Sequence, residues 1–456
     1  MASRCRYHYD NCTRKHSKLL MWIADSGKMS YELDLDDIVT ELLLKTCRPC
    51  PPSTGKHAAM AAAWCSLGAT ENGKVDTEFI PLTTGSVAEF SIEPLLPHVG
   101  DIDGMFHRDT ELAIPRGHPP PTQLPAEFHN YVQVWEIIDS HLPGYVYLEL
   151  RYLLTECSDR DNYNAVEYDG GSYLSNQTYN DMTRVHGPAL LIPSPNESIV
   201  LSCDHVLSVR CLSWPSQAVD WPIRHRNYGW PDSATLDLVV SNGCDVVPVA
   251  HRQCRQHEWM GEYQWRLSFS RAEIVLINSW MPEQQIVYHM LRFFIKTERL
   301  TDCADNSEAS TLSNYHIKTL MLSACELKPR SWWTDNVNLV RMCVQLLHNL
   351  ATWLDNRRCQ HYFINDCNLF DNSVNGTNIR DQLMSIDETW LSKWFVDNYI
   401  RGCLQPNDCP RNISRLFDDV STSMKLQNAV SALVAWRHNS SVLDLWISCT
   451  VLMQSA

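Results

Sequence analysis

The sequence predicts an α+β protein in which a mixed α/β half precedes a helical half. Apolar residues make up 44% of the 456-residue chain, and 16 Trp and 17 Tyr supply bulky core material. Helical periodicity dominates after about residue 265, whereas extended segments are concentrated before it. No internal repeat recurs at a fixed period, which argues against a solenoid or a propeller. A chain of this length can bury a large core, and we expect two or three lobes.

The N-terminal part predicts a mostly helical segment over residues 16–46, because apolar residues recur there at helical spacing. Within it, the sequence DLDD supplies acidic residues for a first turn. Pro and Gly in CRPCPPSTG, residues 47–55, end that segment. KHAAMAAAWCSLG then predicts a short Ala-rich helix, and TEFIPLTTGS predicts a strand that leads into a Gly turn.

The middle of the chain is harder to assign. Residues 109–185 are Pro-rich and Tyr/Asn-rich, and they predict loops around one helix or strand near YVQVWEIIDSHL. Residues 198–214 predict a β-rich run. After residue 265 the helical segments include RAEIVLINSW, EQQIVYHMLRFFIKTERL, LSNYHIKTLMLSACEL and NLVRMCVQLLHNLATWLDN.

Charge is unevenly distributed along the chain. The net charge is −15, yet residues 1–28 hold six basic against two acidic residues, a local charge of +4. Two interpretations stay open, a solvated arm and a contact for a nucleic-acid backbone. WPIRHRNYGW (221–230) and AHRQCRQHEWM (250–260) interleave Arg and His with Trp. They are compatible either with the same basic face or with loops stabilised by Trp.

The N-terminus lacks the apolar centre of a signal peptide, and no apolar run is long enough to span a membrane. We therefore expect a cytoplasmic protein with no membrane partner. Its 18 Cys are scattered singly, which favours reduced thiols over a disulfide scaffold. No structural zinc is expected, because the loose ligand-like spacings depart from structural zinc patterns. Those spacings involve Cys5, His8, Cys12, His16, Cys47 and Cys50.

Chemistry is concentrated in TTGSVAEFSIEPLLPHVGDIDGMF, residues 83–106. On a strand, Asp101 and Asp103 would point to the same side, and paired carboxylates suit Mg²⁺. The Gly85-Ser86 pair would form a turn whose N–H groups and hydroxyl can cradle a triphosphate. The alternative is a Pro/Gly loop that carries a solvated acidic pair.

Several blocks, in order, resemble the cyclic GMP-AMP synthase (cGAS)-like receptors, a branch of the Mab nucleotidyltransferase family. The 83–106 segment resembles their Gly-Ser and acid-hydrophobic-acid signature, and CDHVLSVRCLSWP resembles the strand with the third metal-binding acid. QWRLSFSRAE, LSNYHIKTLML and HYFINDCNLFDN resemble the C-terminal lobe. The resemblance covers roughly residues 60–373.

The resemblance implies a bilobal nucleotidyltransferase fold: an N-terminal spine helix and a mixed β-sheet lobe, then a helical-bundle lobe. The implied segments are 1–56 for the basic stretch and spine, 57–250 for the core lobe, 251–373 for the helical lobe, and 374–456 for an extension of unknown role. Asp204 is preferred as third acid over Asp237, which lacks the downstream Ser-Trp-Pro.

The resemblance also implies the site residues. Two Mg²⁺ or Mn²⁺ ions would be bound by Asp101, Asp103 and Asp204, the catalytic acids. Nucleotide contacts would come from Gly85, Ser86, Arg266, Ser268, Ser270, Glu273 and Lys318. The bland alternative makes Arg266 and Lys318 surface cations beside helices.

The implied activity is joining nucleoside triphosphates such as ATP and GTP into a cyclic dinucleotide messenger in innate immune sensing, switched on by double-stranded nucleic acid. The chain lacks the zinc insertion after Glu273 with which the synthase grips DNA, so RNA is favoured over DNA. His348 and Asn349 stand where the synthase offers a base-stacking Tyr, so base choice does not transfer. Two alternatives remain: a catalytically silent family member acting as a scaffold, and a linear oligonucleotide synthetase.

Overall fold

The computed structural model describes residues 35–50, 70–71, 74–75, 79–89, 91–93, 102–157, 162–179, 190–192, 203–300, 312–370 and 377–400. These ranges form a mixed α+β fold, as the sequence predicted. The predicted Ala-rich helix, the basic N-terminal stretch and Asp101 lie outside the described residues. The division into two lobes stays a prediction.

The strands, in chain order, are β1 (Arg48–Cys50), β2 (Thr70–Glu71), β3 (Lys74–Val75), β4 (Phe79–Thr84), β5 (Ser91–Glu93), β6 (Ile102–Pro115), β7 (Tyr131–Asp139), β8 (Tyr145–Glu156), β9 (Tyr163–Glu167), β10 (Leu190–Ile192), β11 (Cys203–Cys211), β12 (Cys244–Val247) and β13 (Gln264–Ser268). Within the described ranges, the helices of at least five residues are α1 (Leu35–Thr46), α2 (Gly85–Glu89), α3 (Ser233–Ser241), α4 (Glu258–Tyr263), α5 (Ser270–Asn278), α6 (Pro282–Thr297), α7 (Asn314–Leu327), α8 (Arg330–Thr334), α9 (Leu339–Asp355), α10 (Thr377–Met384) and α11 (Glu388–Phe395), followed by a π-helical turn (Val396–Ile400).

Nine strands form one mixed sheet, in the order β10-β11-β12-β13-β8-β7-β6-β4 with β9 paired to β8. Strand β6 runs parallel to both β7 and β11, and the other pairings are antiparallel. Because β11 pairs with β6 as well as with β12, six strands from β11 round to β6 close into a circuit. The β-rich run expected over 198–214 is present as β11.

The expectation of loops with one element over 109–185 was wrong. Strand β6 continues to Pro115, and β7, β8 and β9 follow, so this region supplies much of the sheet. Apolar residues alternate in YVYLELRYLLTE, where Val146, Leu148 and Leu150 are buried, and this period-two pattern is typical of a strand. The Pro-rich piece is only the connection between β6 and β7.

The described part of the expected spine helix is α1, which packs against α9, α11 and α6. Its first turn is acidic, as DLDD predicted. Asp36 Oδ2 accepts a hydrogen bond from Asn338 Nδ2 at 2.7 Å, and Thr40 Oγ1 accepts one from Leu339 N at 3.0 Å. Both contacts join α1 to the start of α9, and Val39 and Leu43 are fully buried between the helices. Helix α1 therefore packs as one member of the group of helices that also contains α6, α9 and α11.

The sheet continues past residue 250, where we expected the helical lobe to begin, because β13 pairs with β12 and β8. The described start of the C-terminal extension, α10 and α11, packs on α9. Arg380 reaches Asp355 at 2.6 Å, and Trp394 Nε1 donates to Glu298 Oε1 at 2.5 Å. None of the helices within the described ranges has the length and apolarity required to cross a bilayer.

Candidate active site

Three neighbouring strands place the Gly-Ser turn and two of the predicted acids in one row. Thr84, the last residue of β4, is the register partner of Asp103 on β6. Asp103 is in turn the partner of Asp204 on the parallel strand β11. The backbone positions of the two acids are therefore adjacent across the sheet, and the turn that begins at Gly85 leaves from the same row.

The face of the sheet that carries this row also carries Arg266. Two residues beyond the acids, Met105 and Val206 form a small apolar cluster with Val247 of β12. Val247 is the register partner of Arg266 on β13, and directly opposed residues lie on the same face. By strand alternation, positions 103 and 204 share that face.

The predicted Gly turn is present at Gly85, which has a φ of +63° and opens α2. Residues other than Gly rarely adopt this backbone conformation, which accounts for Gly at this position. The competing acid Asp237 is exposed and belongs to a helix, α3, not to a strand. Asp103 stands within a long strand and is not part of a surface loop.

Lys318 of α7 lies between two carboxylates from different elements. Its Nζ is 2.5 Å from Glu89 Oε1, at the end of α2, and 2.7 Å from Glu273 Oε2 on α5. The side chain of Lys318 is 14% exposed, and those of Glu89 and Glu273 are 2% and 5% exposed. Tyr288 donates from its hydroxyl to Glu89 Oε2 at 3.3 Å. Lys318 is thus a buried ion-pair partner, which rules out the alternative of a snorkelling surface cation.

The charges around Lys318 determine its protonation. Burial alone would lower the pKa of the ammonium, but the carboxylates of Glu273 and then Glu89 outweigh it and raise the pKa well above the ordinary value. Burial, followed by the charge of Glu273, raises the pKa of Tyr315, whose ring lies 5.9 Å from Lys318 Nζ. Lys318 is therefore charged, and Tyr315 carries its proton, throughout the physiological pH range.

The QWRLSFSRAE segment forms a second part of the candidate site, next to the surroundings of Lys318. Arg266 is exposed on β13, and Ser268 Oγ lies 3.1 Å from Ser270 Oγ, where β13 passes into α5. Burial and then the charge of Arg266 lower the pKa of the His361 imidazole to about 3. His361 Nε2 is 3.1 Å from the Tyr315 hydroxyl. A neutral imidazole therefore connects the QWRLSFSRAE segment with the surroundings of Lys318.

The two Arg- and Trp-containing segments are stabilised internally. In the first, Arg224 NH2 lies 2.6 Å from Glu326 Oε2, and the Arg224 guanidinium is 4.6 Å from the Tyr362 ring centre. Arg226 stacks 4.9 Å over Trp221 and lies 3.5 Å from the same Glu326 oxygen. This arrangement supports the Trp-stabilised loop that the sequence left open, rather than a free basic face.

The second segment surrounds α4. His257 accepts a hydrogen bond from Met260 N at 3.2 Å and caps that helix. Trp259, 42% exposed, packs 4.8 Å from Tyr147 and 5.6 Å from Tyr263, measured between ring centres. Trp259, Tyr147 and Tyr263 therefore form an aromatic cluster at the surface of the sheet.

Sequence reasoning missed Glu89 and Tyr288, which complete the surroundings of Lys318. The only signal was an acid within four residues of Gly85, and nothing in the sequence identifies its partner on α7. The structure also locates His348 and Asn349, the two residues that stand where the synthase has its base-stacking Tyr. His348 Nε2 lies 2.9 Å from Ile386 O and joins α9 to the C-terminal extension, and Asn349 is exposed.

Comparison with known proteins covers Asp204, Arg266 and Lys318, whereas Gly85 and Asp103 lie before the matched residues. Residues 149–279 match the family model described as the Mab-21 protein nucleotidyltransferase domain, and residues 284–388 match the Mab-21 protein HhH/H2TH-like domain. A protein named mab-21-like from Aedes aegypti is 31% identical over 160 residues, which are 34% of this chain and 40% of that protein. One of the same name from Drosophila melanogaster is 27% identical over 161 residues, 34% of this chain and 41% of that protein. The chain thus matches about two fifths of the length of these relatives.

Proposed function

We propose that this chain, in which a Mab-21 nucleotidyltransferase domain is followed by a Mab-21 C-terminal domain, is an active nucleotidyltransferase that joins nucleoside triphosphates. The observation that carries the proposal is the row Thr84, Asp103 and Asp204, which sets two carboxylate-bearing positions beside the start of the Gly85 turn. Nucleotidyl transfer needs this pairing, because one part must bind metal and the other must bind phosphate.

The donor set fits a divalent metal. Carboxylate oxygens are the ligands that Mg²⁺ and Mn²⁺ prefer, and adjacent parallel strands hold two such positions rigidly. In the proposal Asp101, Asp103 and Asp204 hold two ions. When bound, these ions would stabilise the charge on the attacking and leaving oxygens of the transfer.

The remaining residues would position the nucleotides. Backbone N–H groups at Gly85 and Ser86 would donate hydrogen bonds to phosphate oxygens. The exposed Arg266 would offer its planar fork of donors to the nucleotide. Ser268 and Ser270, whose hydroxyls are within hydrogen-bond distance of each other, would hold the ribose or a phosphate. In the proposal, Lys318 contributes a positive charge and Glu273 orients it.

We further propose a cyclic dinucleotide as the product and double-stranded RNA as the activator, in a cytoplasmic innate immune pathway. The motif resemblance in residues 83–106 and QWRLSFSRAE supports this refinement. A ribose hydroxyl of one nucleotide attacks the α-phosphorus of the other, the bond to pyrophosphate breaks, and a second such transfer closes the ring.

The test is incubation of purified protein with each radiolabelled triphosphate, ATP, GTP, CTP or UTP, in Mg²⁺ or Mn²⁺, with double-stranded RNA or DNA. The expected product resists phosphatase, because a closed ring has no terminal phosphate. A phosphatase-sensitive product would identify a linear oligonucleotide synthetase instead. Absence of turnover under all these conditions would identify a silent scaffold.

A further inference from the structure

Glu89 links two parts of the proposed site that are distant in sequence. It is the last residue of α2, the short helix that begins with Gly85, and its carboxylate contacts Lys318 on α7. Glu273, by contrast, contacts the same ammonium from α5, which follows β13. Both carboxylates bind the cation, but only Glu89 belongs to the turn.

Two carboxylates, those of Glu89 and Glu273, contact the single ammonium of Lys318. Lys318 donates one hydrogen bond to Glu273 Oε2, and its ammonium also forms an ion pair with the Glu89 carboxylate. A triphosphate that approaches Lys318 therefore meets a cation already largely neutralised.

We propose that Glu89 is a positioning residue for nucleotide binding, which holds the Gly85-Ser86 turn against α7 and lowers the positive charge that Lys318 presents to a triphosphate. This inference rests on the proposed function. It assigns opposite effects to one side chain, because anchoring the turn favours catalysis while neutralising Lys318 weakens binding.

Glu89→Gln tests both effects through separate readouts, since Gln keeps the volume and loses the charge. We expect Mg²⁺-ATP to bind about three- to tenfold more tightly, because a nearby negative charge is removed. Turnover should fall about tenfold, because the turn is held less firmly. A KM and a kcat that decrease together are not expected from a purely structural defect.

Glu273→Gln is the matched control. It removes the other carboxylate but leaves α2 attached through Glu89. Hydrogen exchange measured by mass spectrometry should therefore quicken at residues 85–89 in Glu89→Gln, and stay as in the unmodified chain in Glu273→Gln. Exchange in β7 reports misfolding, and Glu89→Asp should restore slow exchange in part.

ATP affinity, measured by calorimetry on the full chain, decides the inference. Unchanged affinity in Glu89→Gln, or unchanged exchange at residues 85–89, overturns it. If neither the unmodified chain nor any variant binds ATP, the proposed function itself fails and takes the nucleotide part of this inference with it. In that case the exchange result still decides whether Glu89 anchors the turn.

Discussion

Two buried ion clusters in this molecule are near mirror images. At Lys318 one cation lies between two carboxylates, Glu89 and Glu273. At Glu326 one carboxylate lies between two guanidinium groups, Arg224 and Arg226. In each cluster two side chains of one charge type contact one of the other, and the clusters differ in what surrounds them.

The Glu326 cluster is balanced by its own surroundings. Arg226 donates to the carbonyl oxygens of Trp221 and Pro222, and Arg224 donates to the carbonyl oxygen of Tyr362. Aromatic faces stabilise the remaining positive charge, as cation–π contacts do elsewhere. This cluster has the properties of a structural clamp.

At the Lys318 cluster two carboxylates contact one ammonium, and the cluster lies next to the turn proposed to bind phosphate. Metal-bound nucleotides bring cations to such a place. In the proposal, the Lys318 cluster acts on a bound nucleotide, whereas carbonyl and aromatic groups give the Glu326 cluster a structural role.

The largest effect on stability is expected from removing Lys318. In Lys318→Met two buried carboxylates lose their cation, so the free energy of unfolding should fall by about 3–5 kcal/mol. Urea unfolding at pH 7 measures this change. Lys318→Arg keeps the charge and should recover most of the stability, and equal losses in both variants would show that packing, not charge, is responsible.

A smaller loss is expected at the structural cluster. Glu326→Gln keeps the shape but removes the charge, and it should cost about 1.5–3 kcal/mol, because the guanidinium groups retain their carbonyl partners. ATP affinity should stay unchanged, which separates this cluster from the one at Lys318. A change in ATP affinity above twofold would contradict the comparison.

His289, a buried neutral group, serves as a control for the pH dependence of stability. Burial and then the charge of Arg292 lower the pKa of His289 from 6.5 to about 3. Between those values the unfolded chain binds a proton that the folded chain does not, so stability falls as pH decreases below about 6.5. His289→Gln should make the free energy of unfolding less pH-dependent, by about 1 kcal/mol per pH unit between pH 6 and 4. An unaltered slope would assign the pH dependence to other groups.

How much the sequence could predict differs between these regions. Period-two and helical patterns located β4, β11 and the C-terminal helices, because such patterns report which face of an element is buried. Pro-rich composition hid β7, β8 and β9, since the turn signals outweighed the alternation in YVYLELRYLLTE. Long-range pairings such as Glu89 with Lys318 leave no local pattern, because each partner satisfies only local propensity.

The acid row had a different status. Motif resemblance named Asp103 and Asp204, and their adjacency across β6 and β11 required the register of the folded sheet. The direct partnership of Thr84 with Asp103 likewise depends on how β4 pairs. Sequence therefore predicted which residues to examine, and the fold determined which of them are neighbours.

The central claim is that the acid row supports nucleotidyl transfer. Pyrophosphate release from mixed triphosphates, measured with RNA and Mn²⁺ present, tests it most directly. We expect release by the unmodified chain and a loss of at least about a hundredfold in Asp103→Asn and in Asp204→Asn, with folding retained. Equal release by all three proteins, or none by the unmodified chain, would contradict it.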